Sequence, residues 1–346
     1  MIKKITTFVL SMAIALGLTG CTFSAPATVV NVDGEDVAAG IYLIYQYGAY
    51  TSAQNKVEDK TKDLFKQDIE GVKAEEWIYN ETLKNVKTYV YIEKAFKESG
   101  IAFSEEELSG VNSQLDAAFL QDEKTLAKNG IGKESFMAYN MSEAKKAKLY
   151  SDKFVKDSAN NVTDADARKY MEEKYSRIAS ASLPVTTASY EQLDTEKTKE
   201  VKALADELLA KVKAGGTIDK ETAAPMLKKA FELTSRDYTE EVADQYITKN
   251  FIHAAATTYP PEIVAKLVAA KVGDCGIEDV YGAPFVWHKV KTVDDDKEFE
   301  LYKPSVINEI QQKAFIDGIT AITDKYTVTP NSGAVKTYSP KKIKTK

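Results

Sequence analysis

The chain of 346 residues has only two cysteines and two histidines, and each scarcity removes a class of chemistry. With Cys21 and Cys275 as the whole thiol inventory, there is no disulfide framework, so stability has to come from an apolar core. Around His253 and His288 no acid–histidine–nucleophile grouping is readable. A Gly-rich phosphate loop, a His-Glu-x-x-His pair and cysteine pairs at zinc spacing are all missing, so no cofactor and no metal are expected. Positive charge is not in excess either: 46 Lys+Arg stand against 52 Asp+Glu, which argues against a nucleic-acid partner and its need for a basic face. No apolar run reaches the roughly 20 residues that span hydrocarbon.

The amino terminus is the first positive signal. Lys3 and Lys4 precede an apolar stretch from Ile5 to Leu18, followed by small residues. This is the composition of a cleavable secretory signal. Leu18-Thr19-Gly20-Cys21 resembles the lipobox of bacterial lipoproteins. The resemblance implies cleavage after residue 20 and a diacylglyceryl group on Cys21, whose two acyl chains suffice for stable anchoring. The expected location is therefore extracytoplasmic, lipid-anchored to the cell membrane, with residues 21–29 as a tether. Losing Lys3 and Lys4 takes the formal net charge from −6 to −8, and 44% hydrophobic residues are enough for a sizeable core, read as two domains. Cys275 reads as a small buried apolar residue.

Along the exported part, Val30 to Val37 alternates valines around Asp33-Gly34, a brief strand and tight turn. Ile41 to Tyr50 is apolar nearly all round and holds Tyr42, Tyr45, Tyr47 and Tyr50. A helix without a polar face is normally buried; an exposed tyrosine surface for gripping other chains is the alternative. Apolar residues from Tyr79 to Phe96 recur at three- and four-residue steps, which predicts a helix over 75–98 stopping at Gly100. Ser104 with Glu107 reads as a capping box. Helices are expected near 124–129, 133–156 and 164–175. After Tyr175 the texture changes: a β-tolerant segment over 178–185, a helix from Val201 to Gly215-Gly216, a loop-rich stretch through Pro260-Pro261, a short helix over 262–271, and a strand pair around Gly282 ending in Ala283–Val290. Helix is expected again from Pro304 through the stripe Ile307 to Tyr326, and residues 329–346 read as a disordered basic tail.

Four segments in this order carry a family resemblance. Val32-Asp33-Gly34-Glu35-Asp36-Val37, Ser99-Gly100-Ile101-Ala102-Phe103-Ser104-Glu105-Glu106-Glu107-Leu108, Val162-Thr163-Asp164 to Tyr175, and Pro261-Glu262-Ile263 to Val272-Gly273-Asp274 resemble segments of the exported parvulin-type foldases, the PrsA and SurA kind. The resemblance implies an α+β, mainly helical fold: a SurA/PrsA-like helical chaperone domain over 30–165, completed by 300–328, with a parvulin-like α+β module inserted at 168–297.

The departures bear on activity. Parvulins carry an active-site histidine on the first strand of the module and another on the last. Here Ala179-Ser180-Ala181-Ser182-Leu183 puts Ala181 at the first place, and matching Lys289-Val290 puts Val286 at the second. His288 would share the strand face of Val286, because side chains alternate with period two. The family's Gly-Gly turn before the pocket is missing, since Gly215-Gly216 ends a helix. The expected function is a membrane-anchored foldase or chaperone for unfolded secreted proteins with a catalytically inactive module. Tyr42, Tyr45, Tyr50 and Trp77 are its candidate client contacts. Two alternatives stay open: an active peptidyl-prolyl isomerase with a rearranged pocket using His288, and a solute-binding lipoprotein.

Overall fold

A computed structural model describes residues 27–293 and 296–345 of the chain. The signal, the lipobox and Cys21 lie outside the described residues. Contacts divide the chain into two units: the residues up to Lys153 together with Gly318–Lys346, and Phe154–Asp317.

In the first unit, β1 (Thr28–Val32) and β2 (Glu35–Ala38) form a hairpin. Its turn residues Asp33 and Gly34 both have positive φ, 51° and 86°, as a two-residue turn matched to strand twist requires. Val29 is fully buried, so the tether expected to reach residue 29 gives way to strand earlier. Helix α1 (Ala39–Lys56) follows without a loop. A minimal hairpin, β3 (Asp68–Ile69) and β4 (Val72–Lys73), leads into α2 (Ala74–Ser99), which Gly100 stops with φ 71°. Ser104 caps α3 (Glu105–Lys128): its hydroxyl accepts from the Glu107 amide at 3.1 Å, and the Glu107 carboxylate takes the Ser104 amide at 2.6 Å. No proline interrupts residues 105–128, so the helix expected near 124–129 is the end of α3. Helix α4 (Lys133–Leu149) runs on into a single π-turn at Tyr150–Phe154. The core gathers Val30 of β1, Tyr42, Tyr45, Val86, Val90 and Phe119 of the helices, and Ile131 from the connection between α3 and α4.

The second unit begins with α5 (Asp164–Lys174), capped by Thr163 and Asp166, and continues with β5 (Tyr175–Ser182) and α6 (Thr195–Lys213). The stretch expected to be loop-rich then holds α7 (Lys220–Leu233), α8 (Glu240–Tyr246) and β6 (Ile247–His253). Pro225, inside α7, masks that helix in the sequence, while Ala223, Met226, Leu227 and Phe231 bury its apolar face and outweigh the missing amide. Then come α9 (Pro261–Ala269), β7 (Cys275–Val280) and β8 (Ala283–Val290). Four strands pair in the order β6-β5-β8-β7, and every pairing among the described residues is antiparallel. The doubly wound lobes of a solute-binding lipoprotein would need parallel strands, which these are not. One sheet face packs Ala179, Ala181 and Val286 against α6, α7 and α8; the other packs Ile178, Ile252, Phe285 and Trp287 against α9.

Helix α10 (Asp296–Thr323) starts eight residues before Pro304. Phe299 explains the early start: it is fully buried with Ala167, Met171 and Val306, so the first turns are held by packing. Gly318–Lys346 belongs to the first unit. There β9 (Val328–Pro330) pairs with β1, and α11 (Ser332–Thr337) buries Ala334 completely in the helical core. The expectation of a disordered tail over 329–346 is thus corrected: a third strand on the hairpin and a short helix anchor it as far as Tyr338.

Candidate functional site

Strands β5 and β8 place side by side the two positions that the resemblance matched to parvulin histidines. Ala181 is directly opposite Val286, and Ala179 is opposite His288. Ala181 and Val286 are both 0% exposed and belong to the apolar cluster formed with α6 and α7. Alternation along β8 puts His288 on that same face, between Ala179 of β5 and Cys275 of β7. Its Nδ1 is buried with no hydrogen-bond partner, and burial holds the imidazole below its ordinary range, so it is neutral near pH 7. Cys275, half-buried, is the residue opposite His288 on β7. A neutral imidazole with no acid to orient it and no second donor beside it offers one ordinary hydrogen bond, about 1 kcal/mol.

The opposite sheet face is also built for packing. Gly276 lets the Trp287 indole lie close over β7: a Cβ at 276 would meet the ring at 3.0 Å. Trp287 Nε1 donates to Glu278 at 3.1 Å, and Lys266 pairs with that carboxylate at 2.5 Å. Ser180 and Thr248 share a hydroxyl hydrogen bond of 3.0 Å between β5 and β6.

A polar cluster that the sequence reading missed lies where α5, β5 and β6 meet α10. The Glu309 carboxylate accepts from the Tyr170 hydroxyl at 2.9 Å and from the Tyr175 hydroxyl. His253 Nε2 stands 3.0 Å from Glu309 but out of line for a hydrogen bond, while its Nδ1 accepts from the Ala255 amide at 3.1 Å. Burial, then the carboxylate, push the Tyr170 hydroxyl up to about 12, and the same causes push Tyr175 up as well. Both phenols stay protonated at neutral pH, so the cluster is a clasp rather than a proton relay. Arg177 and Glu298 add a bidentate pair at 2.5 and 2.6 Å. Glu309 lies 134 residues from Tyr175 and 139 from Tyr170, and no local spacing announces such a group.

Three of the four candidate client contacts are buried, as a helix without a polar face normally is. Tyr42 is 0% exposed, Tyr45 stacks edge-on to Tyr139 at 5.0 Å, and Trp77 is buried with its Nε1 donating to Glu70 at 3.0 Å. Tyr50, half-buried, lies against Phe65 at 6.1 Å. Tyr42, Tyr45 and Trp77 are therefore core side chains, while Tyr50 is partly buried and packs against the edge of the core. Among the described residues there is no group of three metal-ligating side chains, and no helix is long and apolar enough to cross a membrane.

No family model matches the chain, and no curated protein matches its sequence. Among solved structures, it is similar to foldase protein PrsA. The crystal structure of PrsA from Streptococcus pneumoniae aligns at 15% identity over 75% of this chain and 90% of that one, with a TM-score of 0.34. PrsA from Lactococcus lactis aligns at 14% identity over 92% and 99%, TM-score 0.30. A structure of SurA-like chaperones from Campylobacter jejuni aligns at 12% identity over 89% and 100%, TM-score 0.30.

Proposed function

We propose that this chain is an extracytoplasmic, lipid-anchored chaperone for secreted proteins whose α+β module does not catalyse prolyl isomerisation. The observation that carries the second half is the register of Ala181 opposite Val286, both fully buried among apolar side chains. Prolyl isomerisation needs a pocket that stabilises a twisted amide against a barrier of about 20 kcal/mol. Two apolar groups and one unoriented imidazole supply about 1 kcal/mol, less than a tenfold rate gain.

The chaperone half rests on the order of the four family-like segments. Each falls at a structural joint: the turn at Asp33-Gly34, the stop at Gly100, the caps at Ser104 and Thr163, and the start of α9 at Pro261. Turn and cap residues specify architecture, so they speak for fold before function. The anchor rests on Leu18-Thr19-Gly20-Cys21 alone. With Tyr42, Tyr45 and Trp77 in the core and Tyr50 half-buried, client contact has to draw on other surfaces as well. The test is aggregation of reduced insulin, an unfolded client, followed by light scattering. A stoichiometric amount of the protein should delay the onset; an unchanged onset would overturn the chaperone reading.

A further inference from the structure

The last residues of the chain are held by a different chemistry from the core around Ala334. Gln46, itself 1% exposed, donates from Nε2 to the Tyr338 carbonyl at 2.8 Å. Asn129 makes a two-way bond to one residue of the tail. Its Nδ2 donates to the Lys344 carbonyl at 2.7 Å, and its Oδ1 accepts from the Lys344 amide at 2.8 Å. The Asn129 carboxamide is itself fixed by a bond to the Thr125 carbonyl at 2.8 Å. Pro340 is buried, Ile343 is extended at φ −64° and ψ 135°, and Lys341 pairs with Glu75 at 2.5 Å. Residues 341–344 line a cavity of about 730 Å³ with Leu43, Tyr47 and Asn129, and Ser339 and Pro340 line one of about 660 Å³ with Glu75 and Tyr79.

A side-chain carboxamide presents the same donor and acceptor as a peptide group. Both hydrogen bonds of Asn129 to Lys344 go to the main chain, as in main-chain recognition of extended peptides. We propose that this groove of the helical unit is a site for an extended polypeptide segment, and that residues 339–345 occupy it as a tethered competitor. The inference rests on the chaperone reading and adds to it the place of client contact and its regulation by the chain's own end. The Glu75 pair favours segments that carry a lysine a few residues before the clamped residue. The cavities beside the tail leave room for the bulkier side chains of a client.

The test compares three forms of the protein: the full chain, a chain ending at Tyr338, and the full chain with Lys344→Pro, which removes the amide that Asn129 accepts from. Binding of a fluorescein-labelled peptide of residues 339–346 is read by anisotropy, and protection by the aggregation of reduced insulin. A tether at about millimolar effective concentration, holding a segment whose free dissociation constant is about 0.1 mM, predicts roughly tenfold tighter peptide binding after truncation. Lys344→Pro should gain roughly fivefold, the worth of one lost hydrogen bond, and Asn129→Ala in the truncated chain should abolish the gain. Both tail variants should also protect insulin at lower protein concentrations. Equal peptide binding by the full and truncated chains overturns the inference. If the full chain delays aggregation and truncation adds nothing, the inference falls and the chaperone reading stands; if neither form delays it, both fall. Should the truncated chain fail to fold, Lys344→Pro decides alone, and the absence of any gain overturns the proposal.

Discussion

Helices α1 and α4 approach each other so closely at Gly40 that a single methyl group should be felt. A Cβ built at Gly40 would lie 1.9 Å from Ser135 Oγ and 2.7 Å from Ser135 Cβ. Rotating the serine moves its hydroxyl away but leaves the second clash, because Cβ is fixed to the α4 backbone. Carbon atoms rest at about 3.5–4.0 Å, so the helices have to part by about 1 Å. Overpacking of this kind costs about 1–3 kcal/mol, against a helix-propensity gain of at most about 1 kcal/mol for alanine over glycine. Gly40→Ala should therefore destabilise the helical unit by about 1–2 kcal/mol. Ser135→Gly removes both clashing atoms, so the double variant should recover most of that loss, a coupling of about 1–3 kcal/mol. The two tryptophans fall one in each unit, Trp77 in the first and Trp287 in the second. In a Trp287→Phe background, urea unfolding followed by Trp77 fluorescence reports the helical unit. A Gly40→Ala chain more stable than its parent, with effects that simply add to those of Ser135→Gly, would refute the close approach. The packing of Tyr45 against Tyr139 would be in doubt with it, and so would the assignment of that tyrosine to the core.

Ala181→His, which introduces the histidine that parvulins carry at the matched place, should destabilise the module by roughly 2–4 kcal/mol and yield no isomerase, because the site is a filled apolar core; a stable, active variant would contradict this. Tyr170 is raised in the folded protein to about 12, so its contribution to stability is complete below its unfolded value near 10 and is lost as pH rises through 12. Phenolate absorbance should show this late titration, and Glu309→Gln should bring it earlier; a Tyr170 that ionises near pH 10 in the folded protein would contradict the clasp. Cys21→Ala should leave the protein with an uncleaved signal or release it from the membrane fraction, whereas a soluble wild-type protein with a different mature end would remove the anchor from the account.

Legibility followed the length scale of the interaction. The Asp33-Gly34 turn, the stop at Gly100 and the Ser104–Glu107 capping box are decided within four residues, and each is read directly from the sequence. Ala181 and Val286 were each placed on a strand from the sequence, but their register, directly opposite on the two central strands of the sheet, is a property of the folded pairing. Helix α7 was hidden by Pro225, whose local cost is outweighed by burial that only the folded sheet provides. The start of α10 was hidden in the same way by the pocket that receives Phe299. The Glu309 clasp and the tail clamp join residues 134 and 215 positions apart, and chain spacing carries no trace of either. The tyrosines of α1 were ambiguous for the converse reason: an apolar helix face looks the same whether a neighbouring helix or a client covers it.

The central claim is that the protein holds unfolded chains without turning over proline bonds, and one refolding experiment tests both halves. An unfolded client whose recovery is limited by a trans-to-cis proline step is refolded with and without the protein, while native fluorescence and light scattering are recorded in the same cuvette. The account predicts delayed scattering and a slow phase whose rate changes by less than about tenfold. A slow phase accelerated well beyond that, and restored to its uncatalysed rate by His288→Ala, would contradict it and make the half-buried imidazole on β8 part of a working active site.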